Sequence, residues 1–175
     1  METLKVMITG HRPNKLGGYH KSNPRKLNIE RKLRDILTRI AKAAQESGKQ
    51  PIAISGMALG VDQWWTEAAL YQGIPCHAYV PFKGQESKWP EESQVHYEEL
   101  LTRCAREITV CPEGYAAWKM HKRDRAMVDD ADICIAVWDG QPGGGTANTV
   151  NYIRQCQKPC LIVNSTTLDE QWENS

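Results

Sequence analysis

The sequence has 175 residues, of which 25% are charged, and its formal net charge at neutral pH is +1. This length suits one compact domain, and the interspersed charges give no global basic field, which argues against a nucleic acid partner. No apolar run approaches the ~20 residues of a membrane span, and the first residues do not read as a signal peptide.

The predicted strands are six short apolar runs rich in Val and Ile, at 4–9, 51–55, 75–80, 107–111, 132–138 and 159–163. They do not alternate with polar residues, which is typical of parallel strands buried on both faces. Helical patterns lie between them, at 28–47, 61–72, 92–105, 115–130 and 146–157. This alternation predicts an α/β fold with a doubly wound, mainly parallel sheet and helices on both faces. We expect one domain over residues 1–165 and a frayed polar tail at 166–175.

No C-x-x-C pair occurs among the six cysteines, which lie at positions 76, 104, 111, 134, 156 and 160. We therefore expect reduced, mostly buried thiols of a cytoplasmic protein, and neither a disulfide framework nor a metal site. No motif calls for a cofactor.

The first candidate binding loop is "TGHRP" (9–13), which directly follows the first predicted strand. Gly10 allows a sharp turn, so that His11 and Arg12 stand at the carboxyl edge of the sheet, where open α/β sheets bind their ligands. A structural turn would explain Gly10 but would leave Arg12 available to a phosphate group.

The second candidate loop is "SGMALGVD" (55–62), a strand end followed by a glycine turn and a helix start. Ser55, Gly56 and Gly60 would let a ligand approach the backbone amides, and the helix N-terminus favours an anion. Asp62 fits two roles equally well, a helix cap or a ligand contact.

The third candidate loop is "QPGGGTANTV" (141–150), which again lies between a predicted strand and a predicted helix. It matches neither G-x-G-x-x-G nor the Walker A spacing. The arrangement nevertheless predicts a phosphate cradle formed by Gly143, Gly144, Gly145 and Thr146.

Two arginines precede the fifth predicted strand, in the segment "KMHKRDRAMVDDAD" (119–132). Arg123 and Arg125 are two residues apart and cannot share one helix face, so only one of them can point at the pocket. A guanidinium group there could bind phosphate through two hydrogen bonds. Both arginines could also be surface charges paired with nearby aspartates.

These segments resemble motifs of the SLOG superfamily, which includes the LOG phosphoribohydrolases, the DNA-processing protein A family and the YpsA-like proteins. "SGMALGVD" resembles the S-G-x-A-x-G-[IV]-D loop of the DNA-processing group, and "ITGHRPNKLGGY" resembles the YpsA-like branch. "MHKRDRAMVDDADICIAVWDG" resembles the M-H-x-R-K-x-x-M segment of the LOG enzymes, with Arg123 on their arginine. The resemblance spans about residues 4–163. It implies a Rossmann-like fold, a nucleotide-derived ligand and a homo-oligomer.

The glycine loop "PGGGTANTV" resembles the P-G-G-x-G-T-x-x-E loop of the LOG enzymes but lacks its glutamate, which helps to cleave an N-glycosidic bond. The corresponding positions here are Ala147, Asn148 and Thr149. None of these can act as a general base or stabilise a ribosyl cation as a carboxylate does.

A substitute carboxylate would have to come from elsewhere in the chain, and the candidates are Asp62, Glu91, Glu92, Glu113 and Asp139. Asp139 lies beside the glycine loop and is the best placed, although the Asp-Gly pair also fits a simple turn. The candidate catalytic residues are therefore Asp139, Glu113 and Arg123.

Three functions are compatible with these features. The first is a module that binds or senses a nucleotide or a nucleotide-derived ligand through its phosphate. The second is a metal-independent N-glycosidase acting on a nucleoside 5′-monophosphate. The third is single-stranded DNA binding, as in the DNA-processing group, although the near-neutral net charge counts against it.

Overall fold

Seven strands form a single sheet in the computed structural model, which describes residues 1–174. In chain order they are β1 (Thr3–Gly10), β2 (Gln50–Ser55), β3 (Cys76–Val80), β4 (Arg106–Thr109), β5 (Ile133–Trp138), β6 (Cys160–Asn164) and β7 (Glu170–Glu173). The order across the sheet is β4-β3-β2-β1-β5-β6-β7. The first six strands are parallel, whereas β7 pairs antiparallel with β6. The predicted α/β, Rossmann-like class is therefore confirmed.

Five α-helices connect these strands within the described residues: α1 (Pro24–Glu46), α2 (Val61–Tyr71), α3 (Glu91–Arg103), α4 (Ala117–Asp130) and α5 (Gly144–Cys156). Helix α1 begins four residues earlier than the sequence pattern predicts. The side chain of Asn23 accepts a hydrogen bond from the Arg25 N–H at 3.0 Å, and Pro24 occupies the first turn. This cap adds one turn that carries little of the apolar periodicity.

Both faces of the sheet are covered by helices. On one face, Leu33 of α1 and Trp65 of α2 share a core with Val6 of β1, and α3 packs beside α2. On the other face, Met127 of α4 shares a core with Met7 of β1, and α5 lies next to α4. Adjacent residues of β1 thus face opposite cores, which explains the unbroken apolar run in its sequence.

The C-terminal stretch is ordered against the sheet, so the expected frayed tail is wrong for residues 170–173, which form β7. Its backbone pairs with β6, and Glu170 forms ion pairs with Lys32 and Arg39 of α1 at 2.9 and 2.8 Å. Because backbone pairing and ion pairs hold this edge strand, it does not need alternating apolar and polar residues. Its polar sequence therefore resembles that of an unstructured tail.

The direction in which the chain winds reverses between β1 and β5. From β1 the chain adds β2, β3 and β4 on one side, then crosses over to add β5 and β6 on the other. The loops that follow β1 and β5 therefore run to opposite faces of the sheet, and a crevice opens between them at the carboxyl edge. Among the described residues, no helix is long and apolar enough to cross a bilayer.

Candidate functional site

A cleft of about 320 Å³ opens at this reversal point, and we call it the switch-point cleft. Three loops and one helix contribute to it. Its walls are formed by Thr9 and Gly10 at the end of β1 and by His11, Arg12, Asn14 and Lys15 after it, by Ala58 and Asp62 after β2, by residues 143–146 after β5, and by Met120, His121, Arg123 and Asp124 of α4. The two glycine loops that the sequence singles out therefore meet in one cavity.

The glycine loop after β5 presents bare backbone to the cleft. A Cβ atom built on Gly143 or Gly145 would meet no atom within 4 Å, and one on Gly144 would meet only Lys15 Nζ, at 3.8 Å. Helix α5 begins at Gly144, and its cap residue Gly143 supplies no side-chain hydrogen bond to the first turn. The positive end of the helix and the Lys15 ammonium group together favour an anion at this place.

The loop after β2 uses its small residues for packing. Ser55 Oγ donates to the carbonyl of Asp62 at 2.8 Å. A Cβ on Gly56 would lie 2.7 Å from the guanidinium carbon of Arg123, and one on Gly60 would lie 2.7 Å from the carbonyl oxygen of His11. Ser55, Gly56 and Gly60 were expected to contact a ligand, but none of them lines the cleft. Gly56 and Gly60 instead allow the close approach of neighbouring groups, and the Ser55 hydroxyl group is bonded within the loop.

Gly10 both lines the cleft and allows a close contact inside the protein. It lines the cleft, and a Cβ at this position would lie 2.6 Å from Val61 Cγ1, at the first residue of α2. The absence of a side chain therefore lets α2 approach the end of β1, which brings Asp62 to the cleft.

Asp62 and Arg123 are buried charged residues on the cleft wall, with 7% and 4% of their surface exposed. Arg123 donates from Nε to Asp124 Oδ1 at 2.7 Å and from Nη1 to the carbonyls of Gly56 and Tyr79. Asp62 does not cap α2; its Oδ2 accepts a hydrogen bond from the Ala58 N–H at 3.4 Å. Burial raises the pKa of Asp62 to about 7, against an opposing effect of the Arg123 charge.

His11 and Asp139 interact at the edge of the cleft. His11 Nε2 accepts a hydrogen bond from the Asp139 N–H at 3.2 Å, and burial lowers the pKa of His11, which favours the neutral ring. Asp139 Oδ1 accepts from the Gln141 N–H at 2.9 Å, which lowers the pKa of the carboxyl group. Asp139 therefore closes the turn and orients His11, and it does not line the cleft.

Two further predicted residues lie outside the cleft. Glu113 is exposed, and its main-chain carbonyl accepts a hydrogen bond from Lys119 Nζ at 3.0 Å. The guanidinium group of Arg125 lies 5.1 Å from the ring centre of Tyr152, in a groove between α4 and α5. Of the two arginines, Arg123 is the one that reaches the cleft, as their spacing requires.

Sequence reasoning missed Asn14, Lys15, Met120, His121 and Asp124. Met120 lies three residues before Arg123, so helical spacing from that arginine could have found it, whereas His121 and Asp124, at two residues and one residue, could not be found in this way. Asp124 also accepts a hydrogen bond from Thr149 Oγ1 at 3.3 Å, at the position where the LOG pattern has its glutamate. The carboxylates of the cleft are therefore Asp62 and Asp124, in place of the predicted Asp139 and Glu113.

Solved structures with the same fold include DNA processing protein A from two bacteria. The protein from Streptococcus pneumoniae superposes with a TM-score of 0.64 at 16% identity, covering 95% of this chain and 52% of that one. The protein from Helicobacter pylori gives a TM-score of 0.63 at 18% identity, covering 97% of this chain and 69% of that one. This chain thus spans about half the length of the pneumococcal protein, and at these identities the likeness shows the fold.

The Helicobacter pylori structure is described by its single-stranded DNA binding mode. The argument from net charge against a nucleic acid partner is therefore wrong for this fold. A total of +1 averages over the whole surface, whereas Arg12 and Lys15 are exposed together at one cleft. Local charge, and not the sum, determines the affinity for phosphate groups.

The comparisons of sequence identify the family. A UPF0398 protein of Brevibacillus brevis is 27% identical over 146 residues, which cover 80% of this chain and 75% of the relative. The sequence model of the YspA SLOG family matches residues 6–168, nearly the whole chain. The resemblance that the glycine and arginine motifs carry is thereby confirmed, and the chain belongs to the YspA SLOG family.

Proposed function

We propose that the chain binds a nucleotide or a nucleotide-derived ligand through its phosphate group in the switch-point cleft. One observation carries this proposal: the bare N-terminal turn of α5, Lys15, Arg12 and Arg123 converge on one cavity of about 320 Å³. Backbone amides at a helix N-terminus and guanidinium groups are the donors that proteins commonly offer to phosphate.

The charge balance of the cleft supports an anionic ligand. Asp124 offsets the charge of Arg123 through their 2.7 Å contact. Burial raises the pKa of Asp62 to about 7, so its carboxyl group carries less negative charge at neutral pH than that of an exposed aspartate. Arg12, Lys15 and the helix terminus are left to attract the ligand, and a protonated Asp62 can itself donate a hydrogen bond.

The test is a calorimetric titration with AMP, with adenosine and with inorganic phosphate. We expect AMP to bind and adenosine to bind at least tenfold more weakly, because it lacks the charged group. Lys15→Ala and Arg12→Ala should each weaken AMP binding about tenfold. Lys42→Ala removes an exposed lysine of α1 that does not line the cleft and should change nothing. Equal affinities for AMP and adenosine would refute the proposal.

The same incubation tests the hydrolytic alternative. Free adenine that accumulates with the unaltered protein and disappears in Asp124→Asn or Asp62→Asn would show that the cleft cleaves the N-glycosidic bond. Binding without release of the base supports a binding module.

Single-stranded DNA binding is the second candidate function. It is favoured by the description of the Helicobacter pylori neighbour and by the exposed position of Arg12 and Lys15. A fluorescent single-stranded oligonucleotide should then bind with an affinity that falls steeply with salt, because several phosphates release counterions. Binding of AMP alone, without oligonucleotide binding, would exclude this candidate.

A further inference from the structure

A second groove, of about 330 Å³, adjoins the switch-point cleft, and we call it the aromatic groove. Arg12, Met120 and His121 line both cavities, so the two lie side by side. The rest of its wall comes from the loop after β3 and from the segment that precedes α4. A ligand held by its phosphate in the cleft can therefore extend into this groove without leaving the protein surface.

The groove presents an exposed aromatic ring. Tyr115 has 68% of its surface exposed. Phe82 packs edge-to-face against it, with the ring centres 6.0 Å apart. Lys88 Nζ lies 5.8 Å from the centre of the Tyr115 ring. An aromatic ring beside basic side chains is the arrangement with which proteins stack the bases of nucleotides.

The segment that carries Tyr115 is held in place by Lys119. The Lys119 ammonium group is buried and donates hydrogen bonds to the carbonyls of Pro112, Glu113 and Gly114, at 2.7–3.0 Å. Three bonds from one side chain of α4 fix the backbone just before Tyr115. The ring is thus positioned before any ligand arrives, which lowers the entropy cost of binding.

Gln85 supplies a polar group to the same groove. Its side chain is 6% exposed, and Nε2 donates to the Gly56 carbonyl and to Tyr97 Oη, both at 3.2 Å. The carbonyl of Gly56 can only accept, which fixes the orientation of the amide. Within residues 1–174, Oε1 of Gln85 is left buried without a donor. Such a group is costly unless a ligand or an ordered water satisfies it.

We propose that the aromatic groove binds the base of the nucleotide whose phosphate occupies the switch-point cleft, with the base stacked on Tyr115. This inference rests on the proposed function and adds the part of the ligand that the cleft does not contact. Arg12 and His121, which line both cavities, lie where the sugar would pass. Because every base has a π face, the groove selects nucleotides over sugar phosphates and tolerates different bases.

The test compares AMP with ribose 5-phosphate, which has the same phosphate and sugar but no base. We expect the unaltered protein to bind AMP about tenfold more tightly than ribose 5-phosphate. Tyr115→Ala should abolish this difference by weakening AMP binding alone, and Tyr115→Phe should retain it. Tyr71→Ala is the matched control, because Tyr71 is 84% exposed on α2 and lines neither cavity.

The outcomes separate this inference from the function on which it rests. If neither compound binds, the phosphate site itself is absent. If both bind with equal affinity, or if Tyr115→Ala leaves the tenfold difference intact, the phosphate site in the cleft is supported and the base subsite is refuted.

A 5′-phosphorylated single-stranded oligonucleotide identifies the source of the nucleotide. Binding tighter than that of AMP indicates a nucleic acid, and equal binding indicates a free nucleotide. In either case Tyr115→Ala must reduce the affinity.

Discussion

At the scale of single residues, two charged groups in the wall of the cleft, those of Arg123 and Asp62, are buried. Arg123 is 4% exposed, and its guanidinium group donates hydrogen bonds to one carboxylate and two carbonyls. Asp62 has a weaker set of partners, a single amide at 3.4 Å, and burial raises its pKa instead. The buried part of the cleft wall therefore combines a hydrogen-bonded guanidinium group with a carboxyl group whose charge depends on pH.

Asp62 makes the stability of the fold depend on pH. In the unfolded chain an aspartate releases its proton near pH 3.9, whereas in the fold the pKa of Asp62 is about 7. Between these values the folded protein holds a proton that the unfolded chain lacks, so stability from this group is lost as the pH rises toward 7. Asp62→Asn should therefore raise the free energy of unfolding at pH 8, by on the order of 3 kcal/mol, and much less near pH 4.

Urea unfolding at both pH values measures this difference. Asp35→Asn makes the same charge change at an exposed position of α1 and is the control. An Asp62→Asn effect of equal size at pH 4 and pH 8 would contradict a protonated Asp62 in the fold.

At the scale of elements, the beginning of α5 presents glycine backbone to the switch-point cleft. Gly143 and Gly144 have φ values of +83° and +86°, so a side chain at either position would strain the backbone. Gly145 is already helical without this constraint, and the space in front of it is open. A side chain at position 145 would therefore compete with a ligand without disturbing the fold.

Gly145→Val should lower the affinity for inorganic phosphate and AMP at least tenfold and leave the thermal unfolding temperature nearly unchanged. Gly145→Ala is the graded control, because its single methyl group should cost less affinity and slightly favours the helix. Calorimetry and circular dichroism on the same preparations check both statements. If Gly145→Val binds phosphate and AMP normally, the N-terminus of α5 is not part of the binding site.

Strand β7 depends on ion pairs as well as on backbone pairing. Glu170 contacts Arg39 and Lys32, and these hydrogen bonds lower the pKa of its carboxyl group. Its stabilisation is thus present above the unfolded pKa of about 4.3 and is lost as the pH falls. Glu170→Gln should cost about 0.5–1 kcal/mol of unfolding free energy at pH 7, and less at pH 3 or in high salt.

The comparison for this prediction is Glu173→Gln, which removes a similar contact with Arg154, at 2.9 Å, from the same strand. Urea unfolding at low and high salt measures both variants. A loss that persists undiminished in high salt would show that packing, and not charge, holds Glu170 in place.

At the scale of the whole molecule, the sequence predicts the fold well because parallel strands buried on both faces leave an unmistakable apolar pattern. It also predicts that the loops after β1, β2 and β5 meet, since the carboxyl ends of parallel strands share one edge. It cannot distinguish a glycine that faces open space, such as Gly145, from one that allows the close approach of a neighbouring group, such as Gly56 beside Arg123. Lys15 was missed because it ends a single 3-10 turn, Pro13–Lys15, which is too short to show a periodicity from which to infer the direction of its side chain.

The two edge strands of the sheet are poorly suited to pairing with another chain. Both β4 and β7 are four residues long and carry charged side chains, among them Arg106, Glu107, Glu170 and Glu173. Short charged borders offer a poor template for an incoming chain, so the sheet does not readily extend sideways. Pairing of a partner's main chain with the edge of the sheet is therefore disfavoured, so that contacts with other molecules are left to side chains and loops.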